Sequence, residues 1–280
     1  MELQQSLLYQ AYIKALHWNV VDIDGSAIFY RKIPLLGTLA KLQRPEHLPY
    51  IPKLVMKLKN LCVTQLSVEP KEDVSQEEFD IYLTSLSKFF HIITSPFIPT
   101  KTIVIDITPT IKEIFAKLTS AKRRAVRKAE KNNIQITESH DIQDLIAIKS
   151  KGAGMFGNIT THGIDRLWKL LYPNHATILL AKTHDNRVVA GILLLFWNNT
   201  AFYWIAGATH EGKKLFAPTL LVWHALKVGK KRKCALFDFI GVWDERKPKQ
   251  SPEWKGFTKF KEGFGGKSIY YPISMLRTEA

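Results

Sequence analysis

Three apolar runs follow one another in the second half of the chain: Thr177 to Thr183, Val188 to Trp197 and Ala201 to Ala208. Only Asp185-Asn186 and Asn198-Asn199 mark the joints, and both are turn-forming pairs. Joints so short cannot carry a crossover, so the runs are expected to lie side by side as an antiparallel meander. A short strand at Ile134 to Thr137 and helices near Ile142 to Lys149 and Ile164 to Leu171 precede the meander. A helix at Pro218 to Val228, a strand at Ala235 to Ile240 and a last strand at Lys267 to Tyr271 follow it.

Upstream, helical spacing covers Leu3 to Leu16, and short strands are expected at Asn19 to Ile23 and Ala27 to Ile33 around the turn signal Asp24-Gly25. A helix at Pro52 to Leu61, an extended Val63 to Val68, a helix from Ser75 to about Phe90 and a strand at Thr102 to Ile107 come next. Thr110 and Glu113 form a capping box, and apolar residues from Ile111 to Ala129 keep helical spacing as far as Asn132-Asn133. One long amphipathic helix is therefore expected across the middle. Helices, antiparallel meander, helix, strand is an order similar to that of GNAT acetyltransferases, and the first half repeats it in blurred form. The expected class is α/β (α+β), with two GNAT-like (acyl-CoA N-acyltransferase-like) lobes in tandem: a degenerate one at 1–133 that includes the basic helix, and a second at 134–280.

The chain has 280 residues, of which 46% are hydrophobic and 11% aromatic, enough for two cores and unlike a disordered chain. Cys62 and Cys234 stand far apart in apolar surroundings and read as buried small hydrophobes. The first sixteen residues lack a basic start and a small-residue cleavage site, so they read as an amphipathic helix and not as an export signal. The run Val188 to Trp197 is about half a bilayer crossing. A formal charge of +15 points to polyanions: RNA, anionic lipid or a phosphorylated substrate.

Much of that charge lies in TSAKRRAVRKAEKNN, where Arg124, Arg127, Lys128 and Lys131 fall along one side of a helix beside Lys122 and Arg123. Such a row suits a line of phosphates, and a solvated helix face is the plain alternative. The stretch from Ile105 to Ile136 resembles the linker between lobes in Fem-type aminoacyltransferases and related tandem GNAT proteins. Asp106-Ile107 and Arg123 to Ala129 carry the resemblance. The far end resembles the closing segment of the same family, through Phe237, Asp238 and Gly241, then Phe260, Lys261, Gly263, Phe264 and Gly265.

That resemblance implies site residues. Lys261 would stabilise the charge that develops on an aminoacyl ester, with Phe260 contributing backbone. Arg123, Arg124, Arg127, Lys128 and Lys131 would take tRNA phosphates. Lys14 would contact the diphosphate of the acceptor and Glu69 would line the same cleft. Tyr203 and His162 would belong to the acceptor pocket, where Ile205 replaces a frequent aromatic and His162 an expected basic residue.

The implied reaction is transfer of an amino acid from aminoacyl-tRNA to the stem-peptide amine of a lipid-linked or nucleotide-linked muropeptide. It needs no cofactor and no metal, and takes place in the cytoplasm or at the inner face of an anionic membrane. No nucleophile elbow, P-loop, paired cysteine motif or zinc-protease motif stands in the chain. The nine histidines lack ligand spacing. Two other readings stay open: an acyltransferase of the same fold using acyl-CoA or acyl carrier protein, and a non-catalytic RNA- or envelope-binding protein. The segment GATHEGKKLFAPTLL is glycine-poor where a coenzyme A user needs amides for a diphosphate, which favours tRNA.

Overall fold

The computed structural model describes residues 1–153 and 162–276. The chain forms two compact units, residues 1–101 with 269–280, and residues 102–268. The boundary expected after Asn133 thus falls inside the second unit. The basic helix is part of that unit's core, because Val126 and Ala129 are buried in it.

In the first unit, α1 (Leu7–Ala15) starts at Ser6, whose hydroxyl accepts the Tyr9 amide. Strands β1 (Asn19–Ile23) and β2 (Ser26–Ile33) are joined by Asp24-Gly25, both at positive φ, as a tight hairpin requires. Strand β3 (Gly37–Gln43), which the sequence pattern does not announce, pairs antiparallel with β2. Helix α2 (Ile51–Asn60) leads into β4 (Val63–Glu69), and α3 (Gln76–Ser87), capped by Ser75, leads into β5 (His91–Ile92). Both of these strands run parallel to their neighbours, and the sheet order is β1-β2-β3-β4-β5. Leu42, Leu54, Leu58, Leu66, Phe79 and Leu86 fill its core.

A seven-stranded sheet of order β12-β6-β11-β10-β9-β8-β7 runs through the second unit. Strand β6 (Lys101–Asp106) is followed by α4 (Ile111–Lys117) and α5 (Ser120–Lys131). The single helix expected here is broken, because Leu118 is extended and buried and Thr119 starts a new helix by accepting the Lys122 amide. The capping box of Thr110 and Glu113 is present, and Asn133 at φ 55° ends α5.

Strand β7 (Gln135–Ser139), α6 (Ile142–Ala153) and α7 (Ile164–Leu171) precede the meander β8 (Ala176–Lys182), β9 (Val188–Trp197) and β10 (Thr200–Ala208), which is antiparallel throughout. Asn198-Asn199, both at positive φ, make the β9–β10 turn. Short α8 (His210–Lys214) and long α9 (Ala217–Lys231) then lead to β11 (Leu236–Asp238). Helix α9 buries Leu220, Leu221, Trp223 and Leu226, each worth about 1.5–3 kcal/mol of transfer free energy. Helix α10 (Lys255–Glu262) and edge strand β12 (Lys267–Tyr270) close the order; α10 is not evident in the sequence, because Gly256 interrupts the helical pattern. Among the described residues no helix is long and apolar enough to cross a membrane.

Candidate active site

Strand β10 pairs with β9 along its length, but with parallel β11 only from Thr200–Leu236 to Phe202–Asp238. Beyond that point the two strands part. A bulge between Tyr203 and Ile205 turns β10, and Asp238 turns the chain after β11 by accepting the amide of Ile240, which sits at φ 65°. The opening becomes a cavity of about 840 Å³ lined by Tyr203, Ala206 and Gly207 of β10, Ala121, Lys122 and Ala125 of α5, Phe257 and Phe260 of α10, and the start of α9.

Glycines set one wall. Gly191 and Gly207 are direct cross-strand partners, and a Cβ on Gly207 would lie 2.9 Å from the Lys149 Cα. This notch lets α6 lie against the sheet and brings Lys149 to the cavity, where its Nζ donates to the Ala206 carbonyl at 3.3 Å.

Among the described residues, lysines are the charged side chains of the lining, Lys122, Lys149 and Lys213, and no carboxylate joins them. Lys122 is half-buried, its stem crosses Gly263, and its Nζ lies 3.7 Å from the centre of the Phe260 ring and 5.0 Å from that of Phe264. Burial pulls its pKa down to about 8, and burial lowers that of Lys149 too. The half-buried Phe260 therefore serves as both cavity wall and lysine platform, while Phe264 is fully buried core.

Lys261 stands behind this wall. It is 7% exposed, does not line the cavity, and donates from Nζ to the carbonyls of Phe239 at 2.9 Å and Gly241 at 2.6 Å. Tyr203 and Phe257, which do line it, present their rings to the same ammonium at 5.2 and 5.1 Å. Desolvation lowers the Lys261 pKa to about 8, partly opposed by Asp238 and reinforced by Lys149. Two of its three donors thus hold the turn that keeps β11 away from β10. The two sequence blocks singled out for their resemblance meet here, since the Thr119 amide donates to the Gly263 carbonyl at 3.0 Å.

The other expected site residues separate into groups. Arg124, Arg127, Lys128 and Lys131 are exposed on α5, as a row facing solvent requires. Arg123 instead folds back, donating to the Ala116 carbonyl at 2.8 Å and to that of Leu118, and so closes the end of α4. His162 is exposed in the turn before α7 and does not line the cavity. Lys14 and Glu69 belong to the first unit. Lys14 is exposed in the last turn of α1. Glu69 is buried and accepts the Gln43 amide group at 2.7 Å and the Phe97 and Ile98 backbone amides at 2.6 and 2.8 Å. Burial raises its pKa against those hydrogen bonds.

Sequence reasoning does not find Lys149, Lys213 or the inward role of Lys122. For Lys122 a signal exists: it lies three and four residues before Ala125 and Val126, on the inward stripe of α5.

Around the start of α9 several backbone amides are already used. The Gly212 amide bonds to the Thr209 hydroxyl at 3.0 Å, and those of Lys213, Leu215, Phe216 and Thr219 bond to carbonyls of Thr209, Glu211, Lys213 and Phe216. A Cβ at Gly212 would lie 2.3 Å from the Val189 carbonyl oxygen, so this residue serves packing.

Residues 173–272 match the model of the FemAB family. A crystal structure of FemX is similar over 96% of this chain and 90% of its own, with a TM-score of 0.72 at 14% identity. L-PGS from Bacillus licheniformis is similar over 91% of this chain and 82% of its own, with a TM-score of 0.56 at 12% identity. A tandem GNAT protein from the clavulanic acid biosynthesis pathway is similar over 90% and 80%, with a TM-score of 0.55 at 10% identity. Likeness at such identities establishes the fold, two GNAT-like lobes in tandem. No curated protein matches the chain in sequence.

Proposed function

We propose that this chain, a tandem GNAT-like protein that resembles the FemAB family over residues 173–272, is an acyltransferase, and more narrowly an aminoacyltransferase. It moves an amino acid from aminoacyl-tRNA to the stem-peptide amine of a peptidoglycan precursor. One observation carries the reading: a single helix, α5, presents Ala121, Lys122 and Ala125 to the cavity and Arg124, Arg127, Lys128 and Lys131 to solvent. A donor with a polyanionic body and a small reactive acyl end fits both faces at once. The FemAB match supports the same class of chemistry.

In this reaction the neutral amine attacks the ester carbonyl, a C–N bond forms, and the ester C–O bond breaks. The proton lost by the amine ends on the released ribose hydroxyl. Negative charge gathers on the carbonyl oxygen in between, and a preorganised cation in a dry wall is worth most at that moment. Lys261, held behind the Tyr203 and Phe257 rings, is the residue we assign to it, through the field of its charge across that wall. Phe260 positions Lys122, whose charge adds to the same field. The ester is already activated, so binding and orientation supply much of the remaining acceleration.

The acyl-CoA alternative needs free amides for a diphosphate around the start of α9, and those of Gly212, Lys213, Leu215, Phe216 and Thr219 are spent within the chain. The test is to incubate the protein with mixed aminoacyl-tRNAs and lipid-linked precursor, and separately with acetyl-CoA, and to read the mass added to the stem peptide. An aminoacyl increment from the first mixture is expected. Transfer from acetyl-CoA alone, or tRNA binding with no amide product, would overturn the assignment.

A further inference from the structure

One end of the five-stranded sheet carries charge and apolar surface in an arrangement that the transfer reaction does not require. Register places four segments there. Strand β2 ends at Ile33 opposite Gly37, Thr38 lies opposite Val63 at the start of β4, and Gln65 lies opposite His91 at the start of β5. The C-termini of α2 and α3, which lead into β4 and β5, therefore reach the same end. The chain also enters β1 there, with Asn19 opposite Tyr30.

Leu35 and Leu36 form the tip of the β2–β3 connection and are 106% and 61% exposed. A leucine at φ 67° is held in a left-handed conformation that its side chain disfavours, and full exposure of that side chain is unfavourable as well. The tip is nevertheless well built. The Leu36 amide donates to the Ile33 carbonyl at 3.1 Å, and the Gln65 side chain donates to the Leu36 carbonyl at 2.8 Å. Phe89, 46% exposed after α3, carries the Lys59 ammonium 4.7 Å from its ring centre.

Around these apolar groups stand Arg31, Lys32, Lys57, Lys59 and Lys88, all exposed. Segments 14–19, 31–38, 57–65 and 87–92 contain no Asp or Glu. The acids collect at the other end, with Asp22 and Asp24 at the β1–β2 turn, Glu46 after β3, and Glu72 and Asp73 after β4.

We propose that this end of the sheet, with Leu35 and Leu36 at its tip, is a docking surface for an anionic lipid bilayer. The leucines enter the boundary between headgroups and acyl chains, while the ring of lysine and arginine side chains meets the lipid phosphates. Basic residues alone would suit a nucleic acid equally. Two aliphatic side chains held outward at conformational cost suit a bilayer, where they leave water, and gain nothing on a phosphate backbone. The inference rests on the first unit alone and does not depend on the reaction assigned to the second.

Sedimentation of the full chain with vesicles tests it, comparing pure phosphatidylcholine with a mixture containing about a third phosphatidylglycerol. Binding to the anionic vesicles alone is expected. L35G with L36S should weaken it about tenfold or more, since apolar burial is lost. Glycine suits φ 67°, so folding should be kept, with thermal unfolding as the control. K32E and K57E should each weaken binding by roughly fivefold.

A polarity-sensitive dye on Cys62, which is exposed at the start of β4 while Cys234 is buried, reads the orientation. Its emission should shift to the blue with anionic vesicles. Unchanged binding by the folded L35G/L36S protein, or binding without a shift at Cys62, would overturn the proposal. So would loss of tRNA affinity in K32E and K57E without loss of vesicle binding.

Discussion

In the first unit β3 and β4 run parallel and stay paired from Thr38–Val63 to Gln43–Glu69, whereas in the second β10 and β11 run parallel and part after Phe202–Asp238. The surroundings are alike: an antiparallel meander, a helical connection (α2 in one, α8 and α9 in the other), then the parallel strand. At the closed junction Glu69 is tied to Gln43, and the Arg44 amide continues the ladder to the Glu69 carbonyl at 2.7 Å. At the open one Asp238 bends the chain away, and a lysine holds the bend. A parallel strand pair is thus wall or cleft according to where its pairing stops. Each junction also has a buried cation on carbonyl oxygens: Arg44 on Pro70 and Pro99, and Lys261 on Phe239 and Gly241.

Replacing those two cations sharpens the contrast most. K261M should lower single-turnover transfer by about a hundredfold or more, near 3–4 kcal/mol, with a smaller change in substrate affinity. It should also cost about 1–3 kcal/mol of stability, because two buried carbonyls lose their donor. K261R keeps the charge with another donor geometry and should rescue only part of the rate. R44M should show a comparable fall in stability while turnover per folded molecule stays near wild type. Rates normalised to folded fraction from thermal melts decide it, and equal losses of rate in R44M and K261M would erase the distinction between the junctions.

Filling the cleft is the next largest test. A125F places a ring where α5 lines the cavity, and we expect transfer to fall by about tenfold or more at an unchanged melting temperature, since the ring enters existing space and displaces no core. Unaltered kinetics would mean that the acyl end does not enter between β10 and β11.

A smaller effect is expected from replacing Arg124, Arg127 and Lys128 together with Ala. Affinity for tRNA should fall and its salt dependence flatten by about one unit of slope for each phosphate left without its cation, with folding intact because Ala suits exposed helix positions. Affinity measured from low to high salt checks this, and an unchanged slope removes the row from the tRNA surface.

The pH response is the mildest test and separates stability from activity. Burial holds Lys261, and Lys41 in the first unit, near pKa 8 instead of 10.5. Between these values the unfolded chain binds more protons than the folded one, so stability rises with pH from about 8 to about 10.5 and is lost again as pH falls through 8. On the role proposed for Lys261, transfer should decline over the same rise. Melting curves should show that K261M and K41M each flatten the stability rise, and rates should show that K41M keeps the full decline in activity while K261M keeps only the part that Lys122, also near pKa 8, contributes.

How far the sequence carries depends on whether a feature is local. The meander, its asparagine turns, the capping box at Thr110 and the cationic face of α5 are written in neighbouring residues, and the structure has them where expected. The break at Leu118-Thr119 is hidden because Leu118 also fits the helical stripe, although it is the Gly263 carbonyl, far along the chain, that anchors Thr119. Strand β3 escapes notice because GTLAKLQ has three polar residues among few apolar ones, yet its inner positions are buried between β2 and β4. The cavity is the least local feature of all. Gly207, Lys149 and Lys122 come from three elements, and only folding sets them around one space.

Helix α5 also acts as a ruler. From Lys122 in the cavity wall to Lys131 at the end of the exposed row is nine residues, a rise of about 14 Å along the axis. A donor that grips the far end of the row while its ester lies in the cleft must span that length. An aminoacylated adenosine or a very short oligonucleotide can occupy one station or the other but not both. On the proposed reaction, donor length itself becomes a selector: truncated donors should react slowly even when saturating, because they lack the distant anchor.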